Sequence, residues 1–212
     1  MRADPDRDCP LCPRLVDFRT RWRAAEPGWF NAPVPTFHGP SPRLLIVGLA
    51  PGLRGANATG RPFTGDYAGD LLYETLIEFG FAKGSYKASP NDGLRLRDAA
   101  ITNAVRCVPP ENKPTGKEIA ACRPFLVATL ESLDTVTAIL ALGRIAHDSV
   151  LTTLGAKKSA HPFSHGGQHA VPGGLRLFDS YHCSRYNTNT RRLTPEMFKA
   201  VFAEIRAFLG ES

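Results

Sequence analysis

An α/β fold is what this chain predicts: a three-layer αβα sandwich around a central, mainly parallel four-stranded sheet, in a single domain over residues 1–212. Three observations carry that expectation. Short apolar runs recur along the chain, each ends in Gly, His or a polar turn, and stretches of helical period separate them. A chain of 212 residues is also long enough to bury a full core.

The elements follow in order. Residues 42–49 hold Leu44-Leu45-Ile46-Val47, a continuous apolar run that suits a central strand covered on both faces, ended by Gly48. The connection 50–69 is too long to be a simple link. Over 70–81, Leu71, Leu72, Leu76, Ile77 and Phe79 recur at helical spacing. Residues 99–105 read as a second strand. Thr115 and Glu118 then give a capping-box signature for a helix running to about residue 133, which would carry Cys122. A third strand, 136–142, ends at Gly143 and feeds a helix over 144–154. Residues 157–174, with Gly and His throughout, read as a surface loop or β-hairpin. A fourth strand, 175–181, delivers His182. Thr194 caps a closing helix with Pro195 in its first turn and Met197, Phe198, Val201, Phe202, Ile205 and Phe208 on one face. Ligands of such sheets bind beyond the carboxyl ends of the strands, where the loops 48–69, 107–114 and 182–192 begin.

With 26 Lys and Arg against 20 Asp and Glu, the net charge is +6, which favours a polyanionic partner. Arg185, Arg191 and Arg192 share a loop with Ser184, Thr188, Asn189 and Thr190, a mixture suited to phosphate contacts. The amino terminus is charged and lacks the apolar stretch of a signal peptide, and no stretch of some eighteen apolar residues follows. A cytoplasmic monomer is the expectation. Four of the five cysteines fall into two pairs nearly a hundred residues apart, Cys9 with Cys12 in a CxxC turn and Cys107 with Cys122. A soft-metal site pinning the amino terminus to the middle of the chain explains them, with Cys183 left as a free thiol. Spacing alone leaves zinc and an iron-sulfur cluster both open.

The loops carry more specific patterns. Gly48-Leu49-Ala50-Pro51-Gly52, followed by Gly60-Arg61-Pro62-Phe63-Thr64-Gly65-Asp66 and Gly69-Asp70-Leu71-Leu72, resembles the first motif region of the uracil-DNA glycosylase superfamily. Ile101-Thr102-Asn103-Ala104-Val105-Arg106-Cys107 resembles its second block. Ser180-Tyr181-His182-Cys183-Ser184-Arg185-Tyr186-Asn187 resembles its His-containing third motif, with Cys183 where proline often stands. Leu49 replaces the acidic residue of family 4, so the likeness is to family 5, the UDGb type. The resemblance implies a structural 4Fe-4S cluster on Cys9, Cys12, Cys107 and Cys122, with zinc as the less favoured occupant.

It also implies a monofunctional glycosylase that flips a deaminated base out of DNA and hydrolyses its N-glycosidic bond, leaving an abasic site. Uracil is the expected base, with hypoxanthine as a further substrate. Phe63 would stack on the flipped base, and Asn103, whose amide both donates and accepts, would read the O4 and N3–H edge of uracil. The turn Gly48, Leu49, Ala50, Pro51 and Gly52 would line the substrate and water sites. His182 would donate to O2 as charge develops there. Asp66 is the first candidate to orient water and Asp70 the second, although Asp70 could instead cap the helix behind it. Ser184, Arg185, Asn187 and Thr190 would grip distorted DNA, with Arg185 or Tyr186 wedged into the gap. Two other readings compete: a noncatalytic four-cysteine nucleic-acid-binding module, and covalent capture of the abasic sugar by His182, against which stands the lack of a histidine in the first loop.

Overall fold

The computed structural model describes residues 2–210. In chain order the elements are α1 (Pro13–Ala25), β1 (Phe37–His38), β2 (Leu44–Gly48), α2 (Ala56–Thr59), α3 (Tyr67–Glu78), β3 (Ala82–Lys83), β4 (Arg95–Leu96), β5 (Ala99–Asn103), α4 (Gly116–Ser132), β6 (Ala138–Leu142), α5 (Arg144–Thr153), β7 (Gln168–Val171), β8 (Leu175–Ser180), α6 (Arg185–Asn189) and α7 (Pro195–Leu209). The main sheet runs β1-β5-β2-β6-β8-β7, and β3 with β4 makes a separate hairpin. β5, β2, β6 and β8 are parallel, in agreement with the expected central set.

The sheet has six strands rather than four, because β1 and β7 pair antiparallel at its two edges. β1 is two residues long and too short to show any period. β7 lies inside the 157–174 excursion and returns through a tight turn onto β8, so the hairpin option for that segment is the one adopted.

Period-two alternation sends the two faces of β2 into different cores. Leu44 and Ile46 join Leu72, Leu76, Phe198, Phe202 and Ile205, so α3 and α7 cover one face. Leu45 and Val47 join Leu126, Ala146, Val150 and Leu151, so α4 and α5 cover the other. Each fully buried side chain of this kind contributes about 1.5–3 kcal/mol. The three layers hold the parallel strands rigidly, which fixes the residues at their carboxyl ends. α4 starts as the sequence indicates: the Glu118 amide donates to Thr115 Oγ1 at 3.3 Å while the Thr115 amide donates to the Glu118 carboxylate at 2.7 Å.

A third, smaller cluster packs α1 against α4 through Leu15, Val105, Ile119 and Phe125 around three of the cysteines. The segment before α1 is held as well. Asp4 accepts from the Thr36 amide at 2.9 Å and from Arg106 Nη1 at 2.7 Å. Among the described residues no helix is long and apolar enough to cross a membrane.

Candidate active site

Gly48, Asn103 and Ser180 end β2, β5 and β8 at the carboxyl edge of the sheet, and a cavity of about 430 Å³ opens beside them. Its walls bring together Leu49, Ala50, Pro51, Gly52, Phe63, Asp66, Asn103, His182, Ser184 and Arg185, drawn from all three motif regions. Ala56, Tyr67, Ala68 and Asn112 line it too, although nothing in the sequence singles them out. Asn112 and its neighbour Glu111 share a left-handed backbone near φ 56°, which turns the loop after β5 back over the cavity.

Gly48 and Asn103 are register partners on adjacent parallel strands. A Cβ at Gly48 would stand 2.4 Å from Asn103 Oδ1 and 2.6 Å from Phe63 Cζ, so only glycine lets the amide and the ring edge converge there. Phe63 itself sits at φ 54°, an uncommon conformation for a large side chain. Asn103 is buried, and its Oδ1 has no hydrogen-bond partner within the protein. An orphaned buried acceptor costs about 1–3 kcal/mol unless something supplies a donor.

Asp66 occupies the N-cap position of α3 but makes no side-chain cap bond. Its carboxylate instead reaches back across the loop, accepting from the Ala56 amide at the start of α2. A Cβ at Gly55 would overlap that carboxylate, so the glycine leaves its space. Burial raises the Asp66 pKa, and the Ala56 hydrogen bond offsets this only in part. Asp70 lies one turn on, exposed, in a neighbouring groove with Thr188, Asn189 and Arg191 rather than in the cavity wall. Of the two candidate carboxylates, only Asp66 faces the cavity. Asp70 belongs to the first turn of α3 but is not its cap residue.

His182 follows β8 directly, its ring 5.8 Å from that of Phe63. Protein surrounds it on every side but the cavity, and the desolvation pushes its pKa down to about 4. The ring is therefore neutral at physiological pH and can donate through one N–H. Its backbone is held from behind, because Asn187 Nδ2 donates to the His182 carbonyl at 2.8 Å. Ser184 caps the short helix α6 by accepting from the Asn187 amide. Asn187 thus braces the loop, and Thr190, bonded to the Tyr186 carbonyl, lies on the outer surface. Arg185 lies over the Tyr67 ring at 5.1 Å on the cavity rim, and Tyr186 projects beside it, 71% exposed.

The thiols of Cys9, Cys12, Cys107 and Cys122 line one apolar hollow between α1 and α4. Cys183 is buried elsewhere and donates to the Ala68 carbonyl. Burial pushes the free thiol of Cys12 up to about 11 and that of Cys107 to about 12. Two buried arginines flank the set. Arg19 Nη1 donates to Cys107 Sγ at 3.5 Å and its Nε has no partner, while the Arg106 amide donates to Cys122 Sγ at 3.3 Å. Arg106 pairs with Asp4, whereas Arg19 makes no ion pair among the described residues. Arg19 feels the Asp8 carboxylate only at longer range, and its direct contact with a cysteine sulfur fits a counter-charge to an anionic metal-thiolate centre.

Comparison with known proteins identifies the family. Residues 35–206 match the Uracil DNA glycosylase superfamily. The chain is 49% identical over 208 residues to a Type-5 uracil-DNA glycosylase of Thermus thermophilus, covering 95% of this chain and 94% of that protein. It is 42% identical to the Type-5 enzyme of Mycobacterium leprae, covering 95% and 92%, and 38% identical to that of Pyrobaculum aerophilum, covering 96% and 90%. With its three motif regions meeting at one cavity and likeness of this extent, the chain belongs to the uracil-DNA glycosylase superfamily, in its type-5 branch.

Proposed function

We propose that the protein is a monofunctional DNA-repair glycosylase that hydrolyses the N-glycosidic bond of uracil in DNA and leaves an abasic site. The observation that carries this reading is the unpaired Oδ1 of Asn103, buried in the cavity wall beside Phe63. Uracil N3–H supplies the missing donor while the Asn103 amide N–H reaches O4. Hypoxanthine presents the same pair through N1–H and O6, so the same amide accepts it. A noncatalytic DNA-binding module gives no reason for this orphan acceptor.

Bond cleavage leaves negative charge on the base and positive charge on the sugar. Neutral His182 donates to the base oxygen as that charge develops, and it needs no proton of its own to be replaced. Asp66 holds the attacking water and offsets the sugar's positive charge, its carboxylate fixed by the Ala56 amide. No lysine lines the cavity among the described residues, so no amine is placed for a Schiff base and strand cleavage. Ser184 and Arg185 line the cavity rim and would meet the backbone of the flipped nucleotide, and Tyr186, exposed beside them, would fill the gap in the stack.

The thiol set is assigned to a 4Fe-4S cluster, on the support of four cysteines lining one hollow and of Arg19, whose guanidinium donates to Cys107. Cys9, Cys12, Cys107 and Cys122 would hold it, and it would tie α1 to α4 without entering the hydrolysis. Anaerobic protein is expected to carry iron and acid-labile sulfide; zinc alone would sink this assignment.

The test of the activity is base release from an end-labelled duplex containing one uracil, scored by alkali cleavage against a thymine control. Cleavage that requires both uracil and alkali is the expected result. Metal-replete protein that binds the duplex and releases no base would overturn it.

A further inference from the structure

We propose that His147, His169 and Asp179 form a binding site for a divalent transition-metal ion of the zinc class, separate from both the thiol set and the cavity. The three residues come from three elements, α5, β7 and β8, and none of them lines the cavity. Their ligand atoms lie within 4.8 Å of one another. His147 Nδ1 stands 2.7 Å from Asp179 Oδ1, and His169 Nε2 stands 3.0 Å from Asp179 Oδ2.

Hydrogen bonding fixes what these atoms present. His147 Nε2 lies 2.8 Å from the carbonyl oxygen of His161, which can only accept, so Nε2 carries a hydrogen. In the neutral ring Nδ1 then offers a lone pair, and it points at a carboxylate oxygen that also offers only lone pairs. At 2.7 Å a proton bridges the two atoms; a zinc ion held by both, with tetrahedral bonds of about 2.0–2.2 Å, would replace that proton and spread them to about 3.4 Å. The backbone carbonyl behind His147 is the outer partner that metal-bound imidazoles use to fix their tautomer. Two imidazole nitrogens and a carboxylate oxygen are the donor set that zinc accepts with further positions left for water.

The surroundings suit an ion rather than an open carboxylate. Asp179 and His147 are fully buried, and a metal ion lowers the cost of burying a charged carboxylate. The His169 side chain keeps 12% exposure, which leaves a way in from the edge strand. Asp179 is three residues ahead of His182, so an ion here would lock α5 and the β7 hairpin onto the end of β8 without touching substrate.

The experiment uses the full chain, purified anaerobically, incubated with zinc chloride and desalted before iron and zinc are counted by mass spectrometry. The expected result is about one zinc per chain beside the iron of the thiol set. Asp179→Asn and His169→Ala should each lose that zinc and keep their iron, and zinc should raise the melting temperature of the parent but of neither variant. His169→Ala lies on an edge strand and serves if Asp179→Asn does not fold. A parent that retains no zinc would overturn the proposal, with protons alone shared among these residues. Zinc retained equally by folded variants would also overturn it, by placing the ion on the cysteines or at adventitious sites.

Discussion

Gly48→Ala tests the geometry of the site with a single methyl group. That methyl would stand 2.4 Å from Asn103 Oδ1 and 2.6 Å from Phe63 Cζ, about 1 Å inside the ordinary contact distance of about 3.5 Å. β2 cannot retreat, because parallel partners hold it on both sides. The amide and the ring must therefore move towards the cavity. Overpacking of this kind costs about 1–3 kcal/mol in stability, which for a chain of this size lowers the melting temperature by roughly 2–12 °C. A displacement of about 1 Å at the reading group costs the chemical step on the order of 10²-fold, or about 3 kcal/mol. Single-turnover release of uracil from a duplex, with saturating enzyme, separates the second effect from the first. A folded Gly48→Ala protein that excises uracil within about threefold of the parent rate would refute the claim that Asn103 and Phe63 read the base from these positions.

Asp66→Asn should slow excision by about 10²–10⁴-fold while leaving the melting temperature unchanged or higher, since burial opposes the charge it removes. Because the Asp66 pKa is raised, the acid limb of kcat/KM in the parent should fall above the usual carboxylate range, near 3.8, and should vanish in the variant. His182→Ala should cost about 10²–10³-fold, and the parent should show no step in rate as pH passes 6.5, since the ring stays neutral down to about 4. The unfolded chain protonates His182 near 6.5 and the folded one only near 4, so His182 lowers stability progressively as pH falls between those values and not above them; denaturant titrations of parent and variant would expose the difference. Arg19→Gln removes the buried counter-charge beside Cys107, and should reduce iron retention on desalting, with Arg19→Lys restoring part of it; full iron loading in Arg19→Gln would dismiss the electrostatic role.

The central strands were legible because β2 and β6 are apolar on both faces and β5 and β8 are short apolar runs that end in polar residues, and the site because its residues sit where such strands end. Leu44-Leu45-Ile46-Val47 can hardly be read otherwise, and Gly48, Asn103 and His182 follow from it once the sheet is parallel. What escaped were features without local periodicity. β1 owes its two residues to pairing with β5 rather than to any pattern of its own. α1 presents charged residues between its few apolar ones, and only Leu15 and Arg19 are buried in it. Tyr67 enters the cavity wall from the first turn of α3 and Asn112 through the path of its loop, and the left-handed turn at Glu111 and Asn112 uses residues that do not announce it. Asp66 and Asp70 look alike in sequence; the folding of Gly55 and Ala56 against one carboxylate separates them.

The thiol set and the Asp4 contacts join the first residues of the chain to residues more than a hundred positions later. During synthesis at about 5–20 residues per second, Cys9 and Cys12 leave the ribosome roughly 5–20 s before Cys122 does. Through that interval Asp4 has no Arg106 to meet and the first thiol pair stands alone, open to stray metal and to oxidants. The Cys9–Cys12 segment is thus made well before the thiols it packs against, and is secured only once they have emerged.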